Sequence, residues 1–176
     1  MEITFQPLTS RDLPLLHRWL NDPDVIRWWE GDDVSFDAVV RDYDPVSAEP
    51  VEHWIASVDG RPTGWIQCYA AVDFADEDET LQWWHAGVDR TAAGIDYLIG
   101  AAADRGRGVG TAMIRAFVTD VVFGRHPSWT QACASPFAAN TASVRALEKA
   151  GFRRVGTFEE AQGPAEVLVI DRLEPA

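Results

Sequence analysis

One strand–turn–helix unit limits the fold of this chain more than any other stretch. An apolar run, Ile95-Asp96-Tyr97-Leu98-Ile99, leads through Arg105-Gly106-Arg107-Gly108-Val109-Gly110 into a segment with helical spacing. The helix is expected over residues 111–123, with Met113, Ile114, Phe117, Val118, Val121 and Val122 along one face and Gly124 as its end. Three glycines at the turn let the backbone approach a partner and aim N–H groups at it. Two arginines in the same turn suit an anion. A pyrophosphate cradle and a ligand-free Gly-Arg loop both fit the turn taken alone, because short glycine motifs recur by chance.

Around this unit, periodicity predicts strands at residues 3–8, 53–58, 63–72, 130–135, 155–159 and 167–171. Leu13, Leu16, Trp19 and Leu20 recur at helical spacing, so a helix should cover 9–21 until Asp22-Pro23 stops it. Ser35 can cap a second helix, and Asn140 a last one that Gly151 closes. Residues 25–29 read as irregular or helical, 44–52 as a connector, 73–79 as an acidic loop and 81–86 as extended. The order β-α-α-β-β-β-α-β-α-β-β predicts a mixed α/β sheet with helices packed on it, in a single domain by length.

The chain has 176 residues and a net charge of −13, which argues against nucleic acid as a partner. An acidic cleft would favour a cationic small molecule, although acidity also simply aids solubility. The sole lysine, Lys149, lies in the same third of the chain as Arg105, Arg107, Arg115 and Arg145, so an anionic ligand is expected there. Cys68 and Cys133 are far apart, without metal-ligand spacing, and read as two buried reduced thiols. The first residues carry no basic and apolar leader, and no apolar run approaches the ~18 residues that span a bilayer. A soluble cytoplasmic protein without membrane or nucleic-acid partner is expected, as a monomer or homodimer.

Downstream of Arg105-x-x-Gly108-x-Gly110 lies Asn140-Thr-Ala-Ser-Val-Arg-Ala-Leu-Glu-Lys-Ala-Gly-Phe152. These two motifs, in this order, resemble those of the GCN5-related N-acetyltransferases. His17-Arg-Trp-Leu-Asn21, Trp28-Trp29, Gly64-Trp-Ile-Gln67-Cys-Tyr69, Trp83-Trp84, Gly94-Ile95-Asp96 and Gly163-Pro164-Ala165 extend the likeness to aminoglycoside 6′-N-acetyltransferases. The resemblance implies the GNAT fold, an α/β (α+β) architecture with a mixed central sheet of about seven strands, a splayed strand pair and helices on both faces. It also implies acetyl-coenzyme A as co-substrate, no metal, and acetyl transfer to a primary amine of a cationic small molecule, the 6′-amine of an aminoglycoside.

The same resemblance assigns the site. Leu98, Ile99 and Gly100 would pair with the pantetheine arm, and Asn140 would hydrogen-bond it. Arg105, Arg107, Gly108, Val109, Gly110 and Thr111 would form the pyrophosphate loop, with Lys149 near a phosphate. Asp96 would anchor the ammonium and accept its proton, in a cleft walled by Trp28, Trp29, Gln67, Tyr69, Trp83 and Trp84, with Glu79 of the acidic run adding charge.

Chemistry supports part of this independently. An alkylamine with a pKa of about 10.4 arrives protonated, and a carboxylate can bind it and take its proton. Strand alternation puts Asp96 and Leu98 on one face, with Ile95, Tyr97 and Ile99 on the other. A mid-strand acid is costly without a partner, so Asp96 either holds a cation or caps nearby backbone. Aromatic faces suit sugar rings and ammonium groups, but two adjacent tryptophans cannot both face one cleft from a strand. Three positions depart from the family pattern. Leu147 stands where many members have a tyrosine that protonates the leaving thiolate, and Ser135 and Gln162 stand where the resistance enzymes have aspartates. These departures keep open an acyltransferase of siderophore or polyamine metabolism, and a coenzyme A-binding sensor domain with little catalysis.

Overall fold

Alternating apolar side chains give the central sheet two buried faces, and each face carries its own helices. The computed structural model describes residues 1–29, 31–46 and 49–173. Its strands are β1 (Ile3–Pro7), β2 (Glu52–Val58), β3 (Arg61–Ala70), β4 (Ala92–Ile99), β5 (Gln131–Ala134), β6 (Arg153–Glu160) and β7 (Gly163–Asp171). They form one seven-stranded sheet in the order β1-β2-β3-β4-β5-β7-β6. Only β4 and β5 run parallel; the other pairs are antiparallel.

The helices are α1 (Leu13–Leu20), α2 (Pro23–Ile26), α3 (Phe36–Tyr43), α4 (Asp78–His85), α5 (Val109–Phe117) and α6 (Thr141–Ala150). Helices α1 to α3 cover one face, where Leu16, Leu20, Val25 and Val39 pack on Ile55, Trp65 and Leu98. Helices α5 and α6 cover the other, where Met113, Ile114, Phe117 and Leu147 pack on Ala56, Ile66, Cys68 and Ile95. Helices on both faces agree with the expected architecture. Among the described residues, no helix is long and apolar enough to cross a membrane.

Residues 81–86 are not extended. Residues 81–85 lie in α4, which begins inside the acidic run and has Ala86 as its C-cap, and β4 begins earlier than expected, at Ala92. The reason is local. Asp78 and Glu79 occupy the first helical turn, where the helix dipole favours negative charge. Thr80 and Trp83, three residues apart, are the buried positions, which is helical rather than strand spacing.

The feature that shapes the site is a divergence between β4 and β5. The two strands pair only at Ala92–Gly94 with Gln131–Cys133. Beyond Gly94, residues 95–99 keep their β3 partners while the β5 side of β4 is left open. Gly94 itself lies under the Tyr69 ring; a Cβ there would sit 2.4 Å from Tyr69 Cζ. Pro136 soon after β5 removes a ladder donor, which suits the end of pairing.

Candidate active site

Asp96 sits just past the point where the strands part. Its register partner on β3 is Gln67, whose Nε2 donates to Asp96 Oδ2 at 2.7 Å. Burial pushes the Asp96 carboxyl up, and the Gln67 hydrogen bond partly offsets that. A second acid, Glu79, reaches the same space from the first turn of α4. Ser135 Oγ donates to Glu79 Oε1 and accepts from Trp83 Nε1 at 3.0 Å. Burial, then the nearby Asp96 charge, pushes Glu79 up to about 7.

These two carboxylates line a cavity of about 500 Å³ that Trp28, Trp29, Asp32, Tyr43 and Glu160 also line. The cavity extends along the open side of β4 to Tyr97, Asn140 and Ser143. A neighbouring cavity of about 510 Å³ shares Asp32, Gln67, Glu79 and Asp96 and adds Asp42, Glu49, Glu77, His53 and Tyr69. Among the described residues, no lysine or arginine lines either space. Burial and the Asp42 charge push Asp32 up as well. Carboxylates destabilised by burial and by one another gain most from a bound polycation.

At the other end of β4 the chain presents donors. Gly106 and Gly108 have φ of +72° and +81°, a left-handed conformation that glycine adopts without penalty, and a Cβ at either would meet nothing within 4 Å. The first backbone bond into α5 runs from Ala112 N to Gly108 O at 3.1 Å, and no side chain caps the helix. The N–H groups of Val109, Gly110 and Thr111 therefore have no partner within the helix and lie at the positive end of α5. Arg107 is exposed beside it, with one long contact to Ala103 O at 3.5 Å. This cradle fits the pyrophosphate of a coenzyme, and the open edge of β4 fits an extended arm bearing amides.

The structure distributes the expected residues unevenly. Asp96, Gln67, Glu79, Trp28, Trp29 and Asn140 meet in one cavity. Leu98 is buried against the α1–α3 layer and Ile99 is half-buried, so their side chains do not reach this cavity. Tyr69 lines the second cavity but chiefly covers Gly94 and stacks on Trp83. Trp83 and Trp84 wall neither cavity. Trp83 is 1% exposed within the core, and Trp84 lies under the Arg90 guanidinium at 4.2 Å. On a helix, successive side chains point about 100° apart, so the pair was never confined to two opposite strand faces.

Arg105 also departs from its expected role. Its Nε donates to Ile99 O at 2.9 Å, its Nη2 to Gly100 O at 3.0 Å, and its Nη1 pairs with Asp22 at 2.9 Å. The side chain thus clamps α2 to the end of β4 instead of facing the cradle. Lys149 is exposed near the C-terminal end of α6, and Asn140 caps that helix by accepting from Ser143 N at 3.2 Å.

Several lining groups escaped sequence reasoning: Asp32, Tyr43, Tyr97, Ser143 and Glu160. Only Asp32, beside Gly31 in a polar loop, carried a local signal. Tyr97 Oη and Ser143 Oγ share a hydrogen bond of 2.6 Å from β4 to α6, a contact between elements that no spacing announces. The two supposedly missing acids are also answered in space. Ser135 serves Glu79, and Glu160 lines the cavity beside Gln162. Leu147 is fully buried, one turn beyond Ser143 on α6.

Comparison with known proteins shows the family and the fold. The family model for the acetyltransferase (GNAT) domain matches residues 9–160. Aminoglycoside N(6′)-acetyltransferase type 1 of Klebsiella pneumoniae is 34% identical over 174 residues, covering 97% of this chain and 83% of that protein. Among solved structures, AAC(6′)-Ib in complex with parmomycin and acetyl-coenzyme A superposes with a TM-score of 0.85 at 34% identity, covering 98% of this chain and 94% of that one. The same enzyme with coenzyme A and kanamycin gives 0.83 at 34% identity, covering 97% and 95%.

Proposed function

The chain belongs to the acetyltransferase (GNAT) family, and from that premise we propose that it moves an acetyl group from acetyl-coenzyme A to the 6′-amine of an aminoglycoside. The observation that carries this reading is the opening beyond Gly94. It begins at Asp96, which lines an acid-rich cavity, and leaves the β5 side of β4 unpaired along the strand that leads to the glycine turn before α5. A polycation on one side and a pyrophosphate on the other satisfy both halves.

Residues of this chain divide the work. The N–H groups of Val109, Gly110 and Thr111, with Arg107 beside them, hold the pyrophosphate. The open edge of β4 near Leu98, at backbone groups other than the Ile99 and Gly100 carbonyls that Arg105 occupies, and the Asn140 side chain hold the pantetheine arm. Bound there, acetyl-coenzyme A supplies the acetyl group as a thioester. Asp96 holds the substrate ammonium and takes its proton, directly or through water, so that a neutral amine faces the thioester. Its raised pKa brings it closer to the pH at which such a transfer is efficient. Gln67 fixes the carboxylate orientation. Glu79, Asp32 and Glu160 neutralise the further ammonium groups, and Trp28 and Trp29 offer ring faces to the sugars. A backbone N–H near Leu98 polarises the thioester carbonyl. This reading assigns the protein to the cytoplasm, as one domain that needs neither metal nor membrane for the transfer.

A thiol-release assay with acetyl-coenzyme A tests it. Aminoglycosides with a free 6′-amine should turn over, and matched compounds with a 6′-hydroxyl should bind without releasing thiol. Turnover of linear polyamines or hydroxylated lysines in place of aminoglycosides would overturn the substrate assignment. Coenzyme binding without turnover of any amine would replace it with a sensor role.

A further inference from the structure

Away from this cleft, Glu52, Cys68 and His126 bring a carboxylate oxygen, a thiol sulfur and an imidazole nitrogen within 4.8 Å of one another. Cys68 follows Gln67 on β3, so it points to the opposite face of the sheet from Asp96. Glu52 on β2 is the register partner of Cys68. His126 comes from the segment that leaves the α5 end and leads to β5.

The arrangement has the marks of a built site. The His126 ring is stacked on Trp129 at 3.7 Å and 16°, and the His126 carbonyl accepts from Trp129 N–H and Arg172 Nη2, which fixes the ring's position. Among the described residues, His126 Nε2 is enclosed and makes no hydrogen bond, although Glu52 Oε1 is 2.9 Å away. The two atoms are thus close enough to share a ligand but not aligned as donor and acceptor. Cys68 is 0% exposed and free of any disulfide, while the Glu52 side chain is 41% exposed and leaves one side open to solvent.

We propose that Glu52 Oε1, Cys68 Sγ and His126 Nε2 bind one zinc ion, with a water molecule as fourth ligand. A thiolate and a carboxylate together balance the two charges of the ion. A mixed sulfur, nitrogen and oxygen set suits zinc, whereas calcium and magnesium take oxygen ligands. On binding, the Cys68 S–H bond breaks, the sulfur–zinc bond forms, and one proton passes to solvent. Arg125, lying over the Trp54 ring at 4.8 Å, is a neighbouring cation that the ion must tolerate. The ion ties β2, β3 and the α5–β5 segment together behind the strand that carries Gln67. The positions are far apart in sequence, so no metal-ligand spacing reveals them.

Cobalt titration of the full chain tests the site, with cobalt as the spectroscopic stand-in for zinc. One cobalt per chain is expected, with a thiolate-to-cobalt charge-transfer band and tetrahedral visible bands that zinc then displaces. Cys68→Ser should abolish the charge-transfer band, and Glu52→Gln and His126→Asn should each weaken cobalt binding at least about 10-fold. Zinc should raise the melting temperature of the wild type and not of Cys68→Ser. Absence of the band in the wild type, or its survival in Cys68→Ser, would overturn the proposal. Should Cys68→Ser fail to fold, unchanged cobalt affinity in both partly exposed variants, Glu52→Gln and His126→Asn, would overturn it equally.

Discussion

Gln67 Nε2 donates to Asp96 Oδ2 at 2.7 Å across the β3–β4 pair, so the acid at the mouth of the strand opening is held by an uncharged amide. An amide steadies the carboxylate without neutralising it, which leaves its charge for a substrate ammonium. Asp96→Asn removes the proton acceptor and should lower kcat/KM by roughly 10²–10⁴-fold. Coenzyme A affinity, read by calorimetry, should stay near the wild-type value because the cradle is untouched. Gln67→Ala should cost less, about tenfold, since it loosens the acid without removing it. Wild-type turnover in Asp96→Asn would remove Asp96 from the mechanism.

The cleft carboxylates also dictate a pH dependence. Glu79 rises from 4.5 to about 7 in the folded protein, and Asp96 is raised too. A carboxyl with a higher pKa folded than unfolded binds more protons in the folded state across that interval. Taken alone, Glu79 should make the substrate-free protein lose stability as pH rises from 4.5 to about 7, whereas His53, lowered by burial from 6.5 to about 4, should make it gain stability as pH rises through nearly the same interval, so the two slopes oppose each other. Calorimetric melting temperatures of the wild type should therefore change little across pH 4.5–7, Glu79→Gln should leave the rising His53 slope, and the difference between the two proteins should carry the Glu79 contribution. Asp22, Asp104 and Asp171 are shifted the other way by arginine or amide hydrogen bonds and act in a lower window, losing their contribution as pH falls below 3.8. Binding of a polycation should release protons near pH 6, detectable as a dependence of binding heat on the buffer.

The glycine cradle permits a test that separates folding from ligand. Gly108 has φ +81° with nothing within 4 Å of a built Cβ. Asparagine tolerates left-handed backbone better than other non-glycine residues. Gly108→Asn should keep the melting temperature within a few degrees while its side chain occupies the open space beside the turn. Coenzyme A affinity should fall at least about tenfold, because the backbone donors at the start of α5 are screened from the pyrophosphate. Unchanged affinity would move the pyrophosphate site elsewhere.

What was legible in the chain follows the range of the interactions involved. The face of Asp96, the Gly-Arg turn and the capping of α6 by Asn140 are local, and period and turn chemistry reveal them. The run from Glu77 to Ala86 is different. Its tryptophans fit a strand or a helix, and only the burial of Thr80 and Trp83 against other elements decides for α4. Arg105 sits in a phosphate-like motif, yet Asp22, remote in sequence, captures its side chain. The Ser135–Glu79 bond joins β5 to α4 and restores by packing an acid that the motif pattern lacks. Such pairings depend on the folded topology, and a linear pattern carries no trace of them.

The place where β4 leaves β5 rests on Gly94 and Tyr69. A Cβ at residue 94 would lie 2.4 Å from Tyr69 Cζ and 2.7 Å from its hydroxyl oxygen. The ring has little freedom to yield, since it meets Phe74 edge-on at 4.9 Å and stacks on Trp83 at 6.3 Å. Gly94→Ala should therefore destabilise the protein by about 1–3 kcal/mol, the usual cost of overpacking. Tyr69→Ser alone should also destabilise, by removing the ring from this aromatic cluster. Combined, the two changes should cost less than their sum, because the second removes the clash that the first creates. Urea denaturation of the two single variants and the double variant measures that coupling. Strict additivity would mean that the Tyr69 ring can move aside freely, and that the opening beside Asp96 is set by the end of β5 alone.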